Sequence, residues 1–155
     1  MAAMEIERKF LVTAAPDDLA SAPATDIRQG YVAIDDAVEV RVREKGGRYV
    51  LTIKGGHGLA RTEVELDVDA ARFAELWPLT EGRRVEKRRH ELALDGGLVL
   101  ELDVYAGALD GLMTAEVEFA DEAASAAFVP PAWLGPELTG DKRYANQTLA
   151  TDGRP

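Results

Sequence analysis

Near the start of the chain, acidic and basic residues stand at every second position. In the stretch MEIERKFLV (4–12), Glu5, Glu7 and Lys9 are two residues apart, and the residues between them are mostly apolar. On a helix Glu7 would leave the face that Glu5 and Lys9 share, whereas on a strand all three point the same way. The pattern therefore predicts a strand with a charged face. Arg8 is the one charged residue on its other face.

The same spacing recurs along the chain and is sorted by sign. Carboxylate pairs occur at 63/65, 101/103 and 116/118, and basic pairs occur at 41/43 and 87/89. Two carboxylates at this spacing on a strand are about 7 Å apart, and they repel by about 2 kcal/mol at an effective dielectric constant near 20. All-oxygen carboxylate clusters suit hard divalent ions, and nearby Arg and Lys side chains suit the phosphates of a polyanion. A site for a metal-bridged polyphosphate is therefore one interpretation of the pattern.

A plainer interpretation is that each charged face simply meets water, as in an antiparallel sheet with one solvated side. The residues alone leave these two interpretations open. Neither a P-loop nor a Rossmann glycine motif is present, and the chain has no cysteine and only two histidines, His57 and His90. Thiolate and classical zinc sites are therefore poor hypotheses.

Length and charge narrow the classes of function. We expect residues 1–155 to form one domain, since 155 residues with 46% apolar content are enough for one core. The net charge of −10 makes nucleic acid and anionic membranes unfavourable partners. The N-terminus has no apolar signal segment and no apolar run is long enough to span a membrane, so we expect a cytoplasmic protein. The sequence allows a homodimer without requiring one.

Alternation of apolar and polar residues predicts eight strands, mostly joined as hairpins. These strands cover residues 4–12, 26–34, 38–45, 48–55, 60–68, 83–94, 98–105 and 112–120. Helical spacing and capping residues predict short helices over 69–77, 121–129 and 141–150, and residues 130–135 are predicted as an irregular turn. An even number of antiparallel strands fits either a sandwich or a closed barrel.

The motifs in their order resemble the CYTH superfamily, also called triphosphate tunnel metalloenzymes, and most of all its short bacterial inorganic triphosphatases. The resemblance rests on EIERKF (5–10), RQGY (28–31), VRVRE (40–44), LTIKG (51–55), RTEVEL (61–66), EGRRVEKRR (81–89), LELDVYAG (100–107), AEVEF (115–119) and DKRYAN (141–146). It implies a mainly β fold, an eight-stranded antiparallel closed barrel with a few short helices and a charged lumen.

The resemblance also implies roles for individual residues. The carboxylates expected to hold Mg²⁺ or Mn²⁺ are Glu5, Glu7, Glu101, Asp103, Glu116 and Glu118. The cations expected to bind a small polyanionic substrate are Lys9, Arg41, Arg43, Lys54, Arg61, Lys87 and Arg89, with Lys142 or Arg143 reaching in from one end. The residues expected to act in catalysis are Glu5, Glu7, Lys9, Lys87 and Glu118. His90 stands where related short members often have an aromatic residue.

The implied reaction is the metal-dependent hydrolysis of tripolyphosphate to pyrophosphate and phosphate. Two alternatives within the superfamily are an adenylate cyclase and a thiamine triphosphatase, which would add a pocket for an organic group. A third alternative is a polyphosphate-binding module without catalysis. The repeated carboxylate pairs argue against this last alternative, because a pure anion binder gains little from them.

Overall fold

Nine strands form most of the fold. The computed structural model describes residues 6–56 and 61–155, and Glu5 and His57 lie outside the described residues. The strands are β1 (Ile6–Val12), β2 (Ala24–Ile34), β3 (Val38–Lys45), β4 (Arg48–Gly55), β5 (Thr62–Val68), β6 (Arg84–Ala93), β7 (Val99–Ala106), β8 (Met113–Phe119) and β9 (Leu134–Glu137). The first eight are the predicted strands, with ends that shift by a few residues. The mainly antiparallel β class with a few short helices is confirmed.

The strands join in one antiparallel sheet with the order β5-β4-β3-β2-β6-β7-β8-β1-β9. Most neighbours are consecutive hairpins, but three pairings join distant parts of the chain. β2 pairs with β6, and β1 pairs with both β8 and β9, so that the first strand lies between two strands from the later part of the chain. The order leaves β5 and β9 as the two end strands, and closure of the sheet at that seam stays a prediction.

Three short α-helices lie beside the sheet. They are α1 (Ala70–Leu76), α2 (Glu122–Ala127) and α3 (Asn146–Asp152). Asp69 and Asp121 cap the first two, since each side chain accepts a hydrogen bond from a backbone N–H three residues on. No helix among the described residues has both the length and the apolar character needed to cross a membrane.

The C-terminal part of the chain differs from the prediction in two places. Residues 134–137 form β9, although residues 130–135 were predicted as an irregular turn. A short end strand tolerates Pro136 because one side of its backbone needs no partner. The predicted helix over 141–150 begins only at Asn146. Before it, the Asp141 carboxylate binds both the backbone N–H and the guanidinium of Arg143, and these local bonds favour a tight 3₁₀ turn instead.

Two apolar clusters hold the sheet from its two faces. One packs Leu149 and Ala150 of α3 against buried residues of β2, β6 and β7, including Tyr31 and Tyr105. The other lies on the opposite face under α2 and is built on β7 and β8. Separately from these clusters, Gly30 of β2 packs closely against Thr80, since a Cβ added to Gly30 would lie 2.5 Å from the Thr80 side chain. The first cluster lies on the face of the sheet that also carries charged residues, since Tyr31 stands opposite Arg41 and Tyr105 stands opposite Lys87.

Candidate active site

The charged residues predicted from spacing lie on one face of the sheet, here called the charged face. Side chains of directly opposed residues share a face, and the observed register links these positions from strand to strand. The linked pairs are Glu7 with Glu118, Lys9 with Glu116, Glu116 with Glu101, Asp103 with Arg89, Arg41 with Thr52, and Lys54 with Glu63. The strand interpretation of the repeated charges therefore agrees with the structure.

A buried ionic group lies at the centre of this face. Asp103 accepts hydrogen bonds from Arg89, from Nε to Oδ1 at 2.8 Å and from Nη2 to Oδ2 at 3.0 Å. The Nζ atom of Lys87 lies 2.9 Å from the same Oδ2. The side chains of Lys87 and Asp103 are only 4% and 6% exposed. Asp103 thus fixes two cations of the predicted phosphate site in place.

Burial and charge together shift the pKa values of Asp103, Lys87 and Arg89. Burial alone would raise the pKa of Asp103, but the hydrogen bonds and charges of Arg89 and Lys87 hold it below its usual value. Burial lowers the pKa of Lys87, and the charge of Asp103 works against that shift. The pKa of Arg89 is raised by Asp103 and by Glu101 despite its burial. Asp103 is therefore a firmly ionised counterion.

Two arginines of β3 present unsatisfied donors to the same face. The Nε atoms of Arg41 and Arg43 are buried and have no hydrogen-bond partner among the described residues. Burial lowers the pKa of Arg43, and the positive charges of Arg89 and Arg41 lower it further. Buried donors without partners are costly, and cations that converge repel each other. The arrangement therefore suits an anion that would satisfy these donors and charges together.

Carboxylates gather beside these cations, on β1, β7 and β8. Glu7 stands opposite Glu118, and Glu116 stands opposite Glu101. Lys9 and Arg89 offset part of this charge, since Lys9 Nζ lies 3.6 Å from Glu116 and Arg89 Nη1 lies 3.1 Å from Glu101.

The donor chemistry of these carboxylates fits a hard divalent cation, which would relieve the repulsion between opposed carboxylates. In residues 6–56 and 61–155, no three acidic or histidine side chains are already gathered as a metal site. Glu5, the remaining predicted ligand, lies outside the described residues.

Lys142 and Arg143, the two alternatives for a cation that reaches the site from the C-terminal residues, have different surroundings. Lys142 lines a cavity of about 450 Å³ together with Glu7, Lys9 and Glu116. The side chain of Arg143 is 68% exposed, and its guanidinium is paired with Asp141 at 2.6 Å. Of the two alternatives, the structure brings Lys142 to the carboxylates and leaves Arg143 on the outside.

Two further predicted cations, Lys54 and Arg61, lie near β5. Lys54 stands between Glu39 and Glu63 in the register, so that it faces one acidic residue on each side. Arg61 is exposed and lines a smaller cavity of about 230 Å³ that Glu39 also lines. The prediction that these two bind phosphate stays a prediction.

Sequence reasoning missed three polar residues of this region. Glu39 lies 3.7 Å from Arg41, Asn146 accepts a hydrogen bond from Lys87 at 3.4 Å, and Glu91 stands opposite Glu101. The signal for two of them was present, because Glu39 and Glu91 continue the two-residue spacing of the basic pairs 41/43 and 87/89. Nothing in the spacing marks Asn146, which reaches the site only through the fold of the C-terminal residues.

This chain is similar in sequence and in structure to known proteins. The CYTH domain family matches residues 3–137. An inorganic triphosphatase from Nitrosomonas europaea is 50% identical over 147 residues, which cover 94% of this chain and 96% of the relative. An inorganic triphosphatase from Acetivibrio thermocellus is 37% identical over 149 residues, which cover 94% of this chain and 92% of that protein. A solved structure of an inorganic triphosphatase superposes with a TM-score of 0.85 at 47% identity, covering 97% of this chain and 96% of that one.

Proposed function

The chain belongs to the CYTH domain family, and we propose that it is an inorganic triphosphatase that hydrolyses tripolyphosphate to pyrophosphate and phosphate. The family match spans most of the chain. Two inorganic triphosphatases, at 50% and 37% identity, match this chain over nearly their whole length. The proposal takes residues 1–155 as one domain of this family. A cytoplasmic location and a homodimer stay predictions.

One observation on the charged face carries the proposal. The buried Nε atoms of Arg41 and Arg43 lack partners among the described residues, and they lie on the same face as the fixed cations Lys87 and Arg89. A compact polyanion would accept hydrogen bonds from all of them, and a triphosphate offers many oxygens in a short chain. The cations therefore suit a substrate made almost entirely of phosphate.

The carboxylates beside this cation group would hold the metal. Glu7, Glu116 and Glu118 supply oxygen ligands from β1 and β8, with Glu101 beside them and Glu5 predicted to join. We propose Mg²⁺ or Mn²⁺ as the metal, because both prefer oxygen ligands. When bound, such an ion neutralises phosphate charge and lowers the pKa of a coordinated water. The two oxygens of Asp103 already bind Arg89 and Lys87, so its proposed role as a ligand is secondary to its role as a counterion.

The protein's own side chains would bind the substrate and stabilise charge during the reaction. Arg41, Arg43, Lys87 and Arg89 would hold the phosphate oxygens. The positions of Lys87 and Arg89 are set before the substrate arrives, because Asp103 binds both. Fixed cations in a poorly solvated site stabilise charge that shifts onto the leaving phosphate more strongly than water does. Lys9 and Lys87 are the proposed catalytic cations, and Glu7 and Glu118 are the proposed catalytic carboxylates, with Glu5.

A panel of substrates tests this proposal against its alternatives. Phosphate release is measured from tripolyphosphate, ATP, thiamine triphosphate and pyrophosphate, each with Mg²⁺, with Mn²⁺ and with EDTA. The proposal expects metal-dependent release that is fastest with tripolyphosphate. Faster turnover of ATP with cyclic AMP as product would indicate a cyclase, and preference for thiamine triphosphate would indicate that phosphatase. Tight tripolyphosphate binding without any turnover would indicate a binding module.

A further inference from the structure

Arg8 lies on the face of β1 that is opposite to the charged face, yet it makes a dense set of polar contacts. Its Nε and Nη2 atoms donate to the two carboxylate oxygens of Glu137 on β9, at 3.1 and 2.7 Å. Its Nη1 atom donates to the backbone carbonyl oxygens of Ser125 and Phe128, at 3.0 and 3.2 Å. The side chain is only 20% exposed. Arg8 therefore joins β1 to the end of α2 and to β9.

The contacts continue from Glu137 to the backbone of Lys9. The Thr139 hydroxyl group donates to the Glu137 carboxylate at 2.7 Å. The oxygen of that hydroxyl group accepts a hydrogen bond from the backbone N–H of Lys9 at 3.0 Å. The backbone N–H of Leu138 donates to the carbonyl of Lys9 at 2.7 Å. Both backbone groups of Lys9, its N–H and its carbonyl oxygen, are thus hydrogen-bonded to residues that directly follow Glu137, the partner of Arg8.

The next residues carry the connection onto the charged face. We call residues 137–146 the C-terminal segment. The backbone carbonyl of Tyr144 accepts from Lys9 Nζ at 2.7 Å, and the side-chain oxygen of Asn146 accepts from Lys87 Nζ at 3.4 Å. Two ammonium groups of the proposed phosphate site therefore have a hydrogen-bond partner on this segment.

We propose that Arg8 is a positioning residue for the triphosphate site. Among the described residues its side chain forms hydrogen bonds only with Glu137, Ser125 and Phe128, none of which is a site residue. It nevertheless anchors the C-terminal segment so that Tyr144 and Asn146 hold the ammonium groups of Lys9 and Lys87. A lysine has a flexible four-carbon side chain, so fixing its ammonium group in advance removes an ordering cost from substrate binding. This inference rests on the proposed triphosphatase function.

Arg88 provides a matched control. Like Arg8, it stands one residue from a site lysine on the outward face of its strand, and it pairs with a carboxylate, Asp26, at 3.2 Å. It is not bonded to the C-terminal segment, and its side chain is 55% exposed. The variants Arg8→Gln and Arg88→Gln therefore each remove a guanidinium beside a site lysine, and only the first removes bonds to the C-terminal segment.

The experiment measures tripolyphosphate hydrolysis and amide hydrogen exchange in the full-length wild type and both variants, well below their melting temperatures. We expect Arg8→Gln to raise KM about tenfold with a smaller change in kcat, because the phosphate charge that Lys9 and Lys87 bind exists in both the ground and the transition state. Exchange of the Lys9 and Leu138 amides should become about tenfold faster through local opening. Arg88→Gln should change neither quantity.

Two milder variants test the same contacts. If Arg8→Gln does not fold, Arg8→Lys and Glu137→Gln test the same contacts with smaller changes. Equal KM and equal exchange in the Arg8 and Arg88 variants would overturn the inference. Faster exchange spread over β3 and β4 would also contradict it, since that would show general destabilisation. A wild type that does not hydrolyse tripolyphosphate would instead refute the proposed function, and the exchange data would still decide whether Arg8 anchors the segment.

Discussion

Replacing Asp103 by Asn removes the counterion of the buried group at the centre of the charged face. The carboxylate accepts from Arg89 through both oxygens and also contacts Lys87, and its side chain is only 6% exposed. An Asn amide keeps one acceptor but turns an NH₂ group toward donors of both cations. Removing one partner of a buried ion pair costs about 3–5 kcal/mol. We expect a loss near the lower end, about 3 kcal/mol, because the amide oxygen still accepts one hydrogen bond.

The expected loss is large enough to measure in two ways. A cost of about 3 kcal/mol corresponds to a fall of roughly 6–12 °C in Tm for a chain of this size. Urea unfolding followed by the fluorescence of Trp77 and Trp133, in EDTA, gives the free energy of unfolding directly. Asp26→Asn is the control, because its carboxylate is 76% exposed and pairs with Arg88 at the surface. That variant should melt at the wild-type temperature.

The pH dependence separates the charge of Asp103 from its packing. Its pKa in the folded protein is held below its usual value, about 3.9 in an unfolded chain. The stability it contributes is therefore complete above that unfolded value and is lost as the pH falls through the folded pKa. The difference between wild type and Asp103→Asn should be largest at pH 7 and should narrow below about pH 4. A difference that stays constant between pH 7 and pH 3 would refute the electrostatic argument.

Three further substitutions test other parts of the account. Arg43→Gln should weaken tripolyphosphate binding about tenfold or more by calorimetry, since a hydrogen bond to a charged group contributes about 1.5–3 kcal/mol; unchanged affinity would remove Arg43 from the site. Glu118→Gln should abolish metal-dependent turnover while the urea midpoint stays at the wild-type value, and full activity would contradict its role as a ligand. Gly30→Ala should lower the free energy of unfolding by about 1–3 kcal/mol, because its methyl group would lie 2.5 Å from Thr80; a neutral result would mean that Thr80 moves aside.

Much of the fold follows from period-two spacing. Alternation on β1 and β3 was enough to predict both the strands and the face that each charge occupies, because side chains on a strand can point only two ways. The same rule marked Arg8 as an exception on β1. The structure explains it through Glu137 and two carbonyl groups, which come from parts of the chain more than a hundred residues away.

The rest of the site depends on contacts that spacing does not contain. The register between β6 and β7 sets Arg89 opposite Asp103. The family resemblance implied that both residues belong to one site, but it did not imply that they pair with each other. The C-terminal residues were the hardest to predict. β9 is only four residues long and includes a proline, and local bonds between Asp141 and Arg143 replace the first turns of the predicted helix. Asn146 reaches Lys87 only because of that local path.

The most direct test of the central claim is a time course of tripolyphosphate with the purified protein and Mg²⁺, followed by phosphorus NMR. The proposed reaction predicts that the tripolyphosphate signals decay while pyrophosphate and orthophosphate grow in equal amounts, and that EDTA stops the change. Tripolyphosphate signals that persist with Mg²⁺ and with Mn²⁺ would contradict the claim that this charged face is a triphosphatase site.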